Sequence, residues 1–149
     1  MRAFNRLQPL AYAAAVLLGV GMAATPQARA AAPGVGASVT PVRVQALLNA
    51  PGKDLTAIVV TYPPGGSTPV HHHAGSTFAY VLSGAIRSQV SGQGPAKVYT
   101  AGQSFFEPPG STHLVSANAS KTKPAKFLVV FIAHKGAKLT TMGPAPKRP

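Results

Sequence analysis

Cysteine is absent from this 149-residue chain. Without thiols there is no disulfide framework, no Cys-rich zinc site and no thiolate nucleophile. Acids are almost as scarce: Asp54 and Glu107 stand alone against 14 Lys and Arg, for a formal charge of +12. Paired-carboxylate hydrolysis and oxygen-rich calcium sites need several acids in one place, and the supply excludes both. Helical periodicity is lacking too. Gly and Pro number 15 each, and no long window beyond the N-terminal segment keeps an apolar stripe at helical spacing, which favours short strands joined by turns. An apolar fraction of 46% is that of a globular chain, and the length suits one domain.

The N-terminus reads as a targeting segment. Arg2 and Arg6 precede an apolar stretch from Leu10 to Ala24, the length of a secretory core and short for a membrane span. Ala28-Arg29-Ala30 fits the small-x-small cleavage pattern. Residues 1–30 are therefore expected to be a signal peptide, with the chain exported to the periplasm or beyond and no stable membrane insertion after cleavage. The lack of thiols suits an oxidising compartment. With Arg2, Arg6 and Arg29 removed, the +12 falls to +9.

Residues 31–40 are small and turn-forming and read as a linker. The domain itself is expected over residues 41–135. Apolar, β-branched runs fall at Val42–Leu48, Leu55–Tyr62, Phe78–Leu82, Ala85–Val90, Lys97–Thr100, Ser104–Phe106, His113–Ser116 and Phe127–Ala133. Turn chemistry such as Pro63-Pro64-Gly65-Gly66 and Pro108-Pro109-Gly110 separates them. So many short strands imply an all-β antiparallel sandwich or barrel. Residues 136–149 read as a basic, Pro-containing tail, either a loose end or an arm on a partner subunit.

Five histidines carry the chemistry: His71, His72, His73, His113 and His134. On a strand, His71 and His73 share a face while His72 points away. Two imidazoles so placed can reach one divalent ion. A solvated polar turn explains the triplet equally well from spacing alone.

The surrounding pattern resembles the cupin family. Its first motif, G(X)5HXH(X)3-4E(X)6G, is matched by Gly65, His71, His73 and Gly84. Its second, G(X)5PXG(X)2H(X)3N, is matched by Gly102, Pro108, Gly110 and His113, with Asn118 one place later than the pattern asks. The resemblance implies a jelly-roll β-barrel (double-stranded β-helix) with a metal inside its mouth, held by His71, His73 and His113. Iron, manganese, nickel, copper and zinc are all compatible with such a site. It also implies a homodimer formed through the outer sheet.

The sequence departs from the family at one position. Where cupins usually carry Glu stands Thr77, or Phe78 under the longer spacing. Three neutral ligands would leave the charge of the metal uncompensated, drawing anionic or chelating ligands. Three-His iron centres occur among cupin-like dioxygenases, so this loss does not exclude chemistry; a metal-free site that only binds ligand is equally admitted. Glu107 is either a surface acid at a strand end or a catalytic group of the site, where it would reach a metal-bound water, orient a histidine or partly replace the missing carboxylate. Thr77, Ala79 and Val81 share a strand face and are expected to wall a small apolar pocket. Asp54 reads as a turn residue, His72 and His134 as outward or structural, and Phe78, Tyr80, Phe105 and Phe106 as core or subunit contacts.

The basic residues from Lys121 to Arg148 could suggest nucleic acid, but no such motif is present and no aromatics interleave with them. Three functions remain. The first is a metal-dependent enzyme, of oxygenase type, on a small chelating organic compound. The second is a binding or sensing module for a small molecule or metal, and the third a structural envelope protein. The fold alone cannot choose among them.

Overall fold

The computed structural model describes residues 36–147, all of them strand, turn or loop. The expected signal peptide and residues 31–35 of the expected linker lie outside the described residues. None of the described residues forms a helix long and apolar enough to cross a membrane.

Eleven strands follow one another: β1 (Ser38–Ala46), β2 (Lys53–Tyr62), β3 (Ser67–Thr68), β4 (His71–His73), β5 (Ser76–Ser83), β6 (Ala85–Val90), β7 (Lys97–Thr100), β8 (Ser104–Glu107), β9 (Thr112–Asn118), β10 (Ala125–His134) and β11 (Thr140–Met142). They form two antiparallel sheets, ordered β1-β2-β10-β5-β8 and β11-β4-β9-β6-β7, with β3 pairing β9. This is the all-β antiparallel fold that the strand count and turn chemistry predict, and it is consistent with the jelly roll that the family resemblance implies. Period-two alternation builds the core. On β10, Phe127, Val129 and Phe131 point inward, and on β5, Thr77, Ala79 and Val81 do so. Ile86 and Phe105 close the interior from β6 and β8.

The boundaries differ from the sequence reading at both ends. β1 begins at Ser38, inside the stretch read as linker, because its small residues still pair with β2 from Ser38↔Thr61 onward. It is an edge strand, exposed along its whole length, and its register slips at Val42, just after Pro41. Proline and a bulge at an edge limit pairing with other chains. At the other end, the stretch read as a tail contributes β11, which pairs with β4. Residues with no apolar period fold back because the His strand offers an open edge.

A second bulge explains the displaced motif asparagine. Gln89 faces Val115 but Val90 faces His113, so Leu114 is an extra, unpaired residue of β9. The insertion pushes Asn118 one place along the sequence. Its side chain still donates to the Pro63 and Lys123 carbonyls at 2.9 and 2.7 Å and accepts the Ser120 N–H at 2.9 Å.

Two glycines separate strain from crowding. Gly84 turns β5 into β6 at φ +73°, and a Cβ there would lie 2.7 Å from the Pro124 carbonyl oxygen and 2.9 Å from the Ala125 Cα. Gly92 has φ +79° with open space around it. Gly92→Ala should cost only the left-handed strain, about 1–2 kcal/mol. Gly84→Ala should cost more, because backbone must also move; urea unfolding of the two variants checks the difference.

Candidate metal centre

β4 is three residues long, and all three are histidine. Alternation sends His71 and His73 to the inner face, while the Nδ1 of His72 lies 3.1 Å from the Gly143 carbonyl. His113 enters from β9, directly opposite His71 in the ladder. The ring centroids of His71 stand 4.9 Å from those of both His73 and His113. One nitrogen from each of the three rings lies within 4.8 Å of the others.

Hydrogen bonds fix which nitrogen faces inward. A carbonyl can only accept, so the Nδ1–H of His71 donates to the Pro69 carbonyl at 2.7 Å, and that of His73 to the Leu139 carbonyl at 3.1 Å. In the neutral ring each Nε2 then carries a bare lone pair. His113 is turned the other way: its Nε2 meets the Ser88 hydroxyl at 2.8 Å, which leaves Nδ1 toward the centre. Anchoring the outer nitrogen while the inner one stays bare is how metal-binding imidazoles are held. Burial keeps the His71 and His73 rings neutral, pushing His71 down to about 4 and lowering His73 as well.

Glu107 is not a surface acid. It is 3% exposed at the end of β8. Its Oε1 lies 3.2 Å from His113 Nδ1 and its Oε2 3.6 Å from His73 Nε2. Neither Oε2 nor His113 Nδ1 has a hydrogen-bond partner. Two buried polar atoms without a hydrogen-bond partner, close to the bare Nε2 of His73, are costly as they stand. A cation among them would satisfy both, so the residues present fit a metal.

The cluster opens on a cavity of about 390 Å³. Ile58, Val60, Phe127, Val129 and Phe131 supply apolar walls from β2 and β10. The Tyr62 hydroxyl lies 2.6 Å from the Thr68 hydroxyl and 2.7 Å from that of Ser116, and all three residues line the space. Burial raises the Tyr62 phenol above its ordinary value, which keeps its proton in place. Thr77, Ala79 and Val81 were expected to form the wall; they are buried at 0–1% but do not line the cavity. β5 sits on the far side of β10, so its inner face packs into the core. Of the aromatic residues, Phe105 is core, whereas Phe78, Tyr80 and Phe106 lie on the outer face. Asp54 lies within β2 rather than in a turn, and His134 is exposed at the end of β10.

Sequence reasoning missed the C-terminal strand. Thr140 and Met142 line the cavity, and Leu139 holds His73. Only the Thr-Thr pair in β11 hints at a strand there, because the segment is short and flanked by glycines. It also missed Tyr62, a residue at the end of an apolar run that reads equally well as core.

Residues 58–131 match the family model described as Cupin domain. No curated protein sequence matches the chain. Solved structures show the same fold. Peruvianin-I, described as a cysteine peptidase from Thevetia peruviana latex, is 26% identical with a TM-score of 0.58, over 77% of this chain and 74% of that one. An oxalate oxidase in complex with glycolate is 22% identical with a TM-score of 0.57, over 76% and 57%. The DMSP lyase DddQ from Ruegeria pomeroyi is 22% identical with a TM-score of 0.52, over 63% and 45%. The chain thus spans about half the length of the last two. A chain without cysteine cannot share thiolate chemistry with the first.

Histidines held neutral by burial make the metal-free chain acid-sensitive. Below the ordinary imidazole value of about 6.5, the unfolded chain binds protons that folded His71 and His73 refuse. Their contribution is therefore complete above pH 6.5 and is lost as pH falls toward about 4. The urea midpoint of chelator-treated protein should drop across that window, and His71→Asn should flatten the slope. An unchanged midpoint between pH 7.5 and 4.5 would contradict the burial of these rings.

Proposed function

The chain belongs to the cupin superfamily, and on that footing we propose that it is an exported metal-binding cupin acting on a small chelating organic compound, with oxygenase-type activity. The observation that carries the reading is the convergence of one nitrogen each from His71, His73 and His113 in the wall of a largely apolar cavity. These three side chains would hold a divalent transition ion, whether iron, manganese, nickel, copper or zinc. Such an ion supplies Lewis-acid activation of a bound oxygen and, where it is redox-active, electron transfer.

The chain's own residues would select and orient the ligand. Ile58, Val60 and Val129 offer an apolar body its contacts, and the walls exclude water from the imidazoles. The Tyr62, Thr68 and Ser116 hydroxyls carry one proton more than their two mutual contacts use. That proton can be donated to a ligand oxygen, and the raised phenol remains a donor at neutral pH. A small organic acid or diketone-like compound combines the oxygen pair and the apolar body that such a cavity accepts.

One observation favours a second reading, a module that binds without turnover. Apart from the histidines, Glu107 and Tyr62, no side chain lining the cavity titrates. Protein purified without a His-tag and reconstituted is expected to hold about one transition ion per chain. His113→Ala should abolish that stoichiometry. Oxygen uptake with catechols, diketones or organic acids supports the enzyme; tight ligand binding without uptake supports the module. If no metal is bound after reconstitution with all five ions, both readings of the site fail.

Signal cleavage after Ala30 would place this chemistry in the periplasm or outside the cell. The homodimer would use the outer face of the five-stranded sheet, where Phe78, Tyr80, Leu82, Phe106 and Ile132 are each 38–47% exposed. Phe78 stands directly opposite Phe106 across the β5–β8 pair, so these exposed apolar side chains adjoin, and such adjoining patches mark contact surfaces. Sedimentation should give a dimer for the mature chain and a monomer for Phe78→Lys; a monomeric wild type refutes this surface as the contact.

A further inference from the structure

The carboxylate that the first motif lacks has not been lost from the interior. It stands across the ladder. β5 pairs β8 with Thr77 directly opposite Glu107, so the residue in the motif position and the chain's lone glutamate are cross-strand partners. We infer that Glu107 is the carboxylate ligand of the metal site, carried from the neighbouring edge strand in place of residue 77. The inference rests on the three-His reading and deepens it.

Reach comes first. Glu107 Oε1 is 3.2 Å from His113 Nδ1 and Oε2 is 3.6 Å from His73 Nε2. The carboxylate therefore touches two of the three rings. A side chain anchored elsewhere in the core would not lie within contact of ligand atoms from both β4 and β9.

Orphaned atoms point the same way. Oε2 and His113 Nδ1 are fully buried without a hydrogen-bond partner, although each has the other's residue beside it. The atom beside His113 Nδ1 is Oε1, at 3.2 Å, while Oε2 lies toward His73 Nε2 at 3.6 Å, and a cation seated among them would satisfy the orphaned atoms. Among the described residues no lysine or arginine lines the cavity, so none of them offsets the carboxylate. A buried carboxylate beside imidazoles is stabilised by a positive partner, and a dipositive ion supplies one.

The pairing with Thr77 makes the two positions alternatives. Side chains directly opposite on a sheet lie close enough for like charges to repel. Glutamates at both 77 and 107 would bring two carboxylates together in a buried site. A chain that places its acid on β8 therefore does best with a small neutral residue on β5, and threonine is that. The Thr77 hydroxyl is itself buried and unpartnered, consistent with a position shaped by its neighbour rather than by its own hydrogen bonding.

The consequence for the site is electrical. A carboxylate ligand cancels one of the two charges of a divalent ion, which lowers the pull on dianionic ligands relative to three imidazoles alone.

Because Glu107 is the only glutamate in the chain, isotope labelling of glutamate marks one carboxylate. Infrared difference spectra of wild-type protein with and without zinc should show the labelled antisymmetric and symmetric stretches moving on loading. Cobalt titration should give Glu107→Gln an affinity about tenfold or more below wild type. Thr77→Glu introduced into Glu107→Gln should recover it, returning the acid to the other strand. If one zinc binds per chain and the labelled bands do not move, the inference is overturned while the three-His reading stands. If wild type binds no zinc or cobalt, or if His113→Ala binds them as well as wild type does, the three-His reading falls and takes the inference with it. The infrared arm uses wild-type protein, so it decides even where a variant fails to fold.

Discussion

One carboxylate and three imidazoles are buried together without a lysine or arginine beside them, and the rest of the site is arranged around that constraint. Each ring is tied at its outer nitrogen: His71 to the Pro69 carbonyl, His73 to the Leu139 carbonyl, His113 to the Ser88 hydroxyl. The ties to carbonyls leave the inner Nε2 of His71 and of His73 bare, and burial keeps those two rings neutral. Such a group of lone pairs is unfavourable in an apolar interior by itself. It becomes favourable with a cation, so the folded chain is built with part of the binding energy of an ion already prepared as preorganised donors.

Strand register delivers those donors. The three-residue β4 puts His71 and His73 on one face by alternation alone, and pairing with β9 sets His113 opposite His71. β8 ends at Glu107, which brings the carboxylate in from the second sheet. The site is thus a seam between the two sheets. Slippage of β9 by one residue would turn His113 to solvent. The bulge at Leu114 absorbs an extra residue after His113 without disturbing that pairing.

How much of this was legible in the sequence follows from how local each signal is. The strands, their turns and the shared face of His71 and His73 depend on neighbours within a few residues, and alternation with Gly-Pro punctuation exposes them. The family pattern extended this to His113, forty residues further on. Glu107 was visible as the lone glutamate, but its inward direction depends on pairing with β5, which no local pattern specifies. The wall of the cavity was misplaced for the same reason. Thr77, Ala79 and Val81 do face inward, yet β10 rather than β5 borders the open space. β1 and β11 were read as linker and tail because each gains its strand character from an edge offered by distant residues.

The scarcity of acids also gains a structural meaning. Lys121, Lys123, Lys126, Lys135 and Lys138 are exposed, whereas no lysine or arginine among the described residues lines the cavity. Surface charge of one sign raises the local concentration of anions and speeds their encounter, but it fades within about a Debye length and makes no contact inside. An anionic ligand drawn in by the lysines would meet a carboxylate and three imidazoles in the cavity. On the metal-site reading, an ion held there would offset the carboxylate before such a ligand could settle, and the positive exterior could not substitute for it. The excess of basic residues governs arrival, while the single buried glutamate governs what can remain.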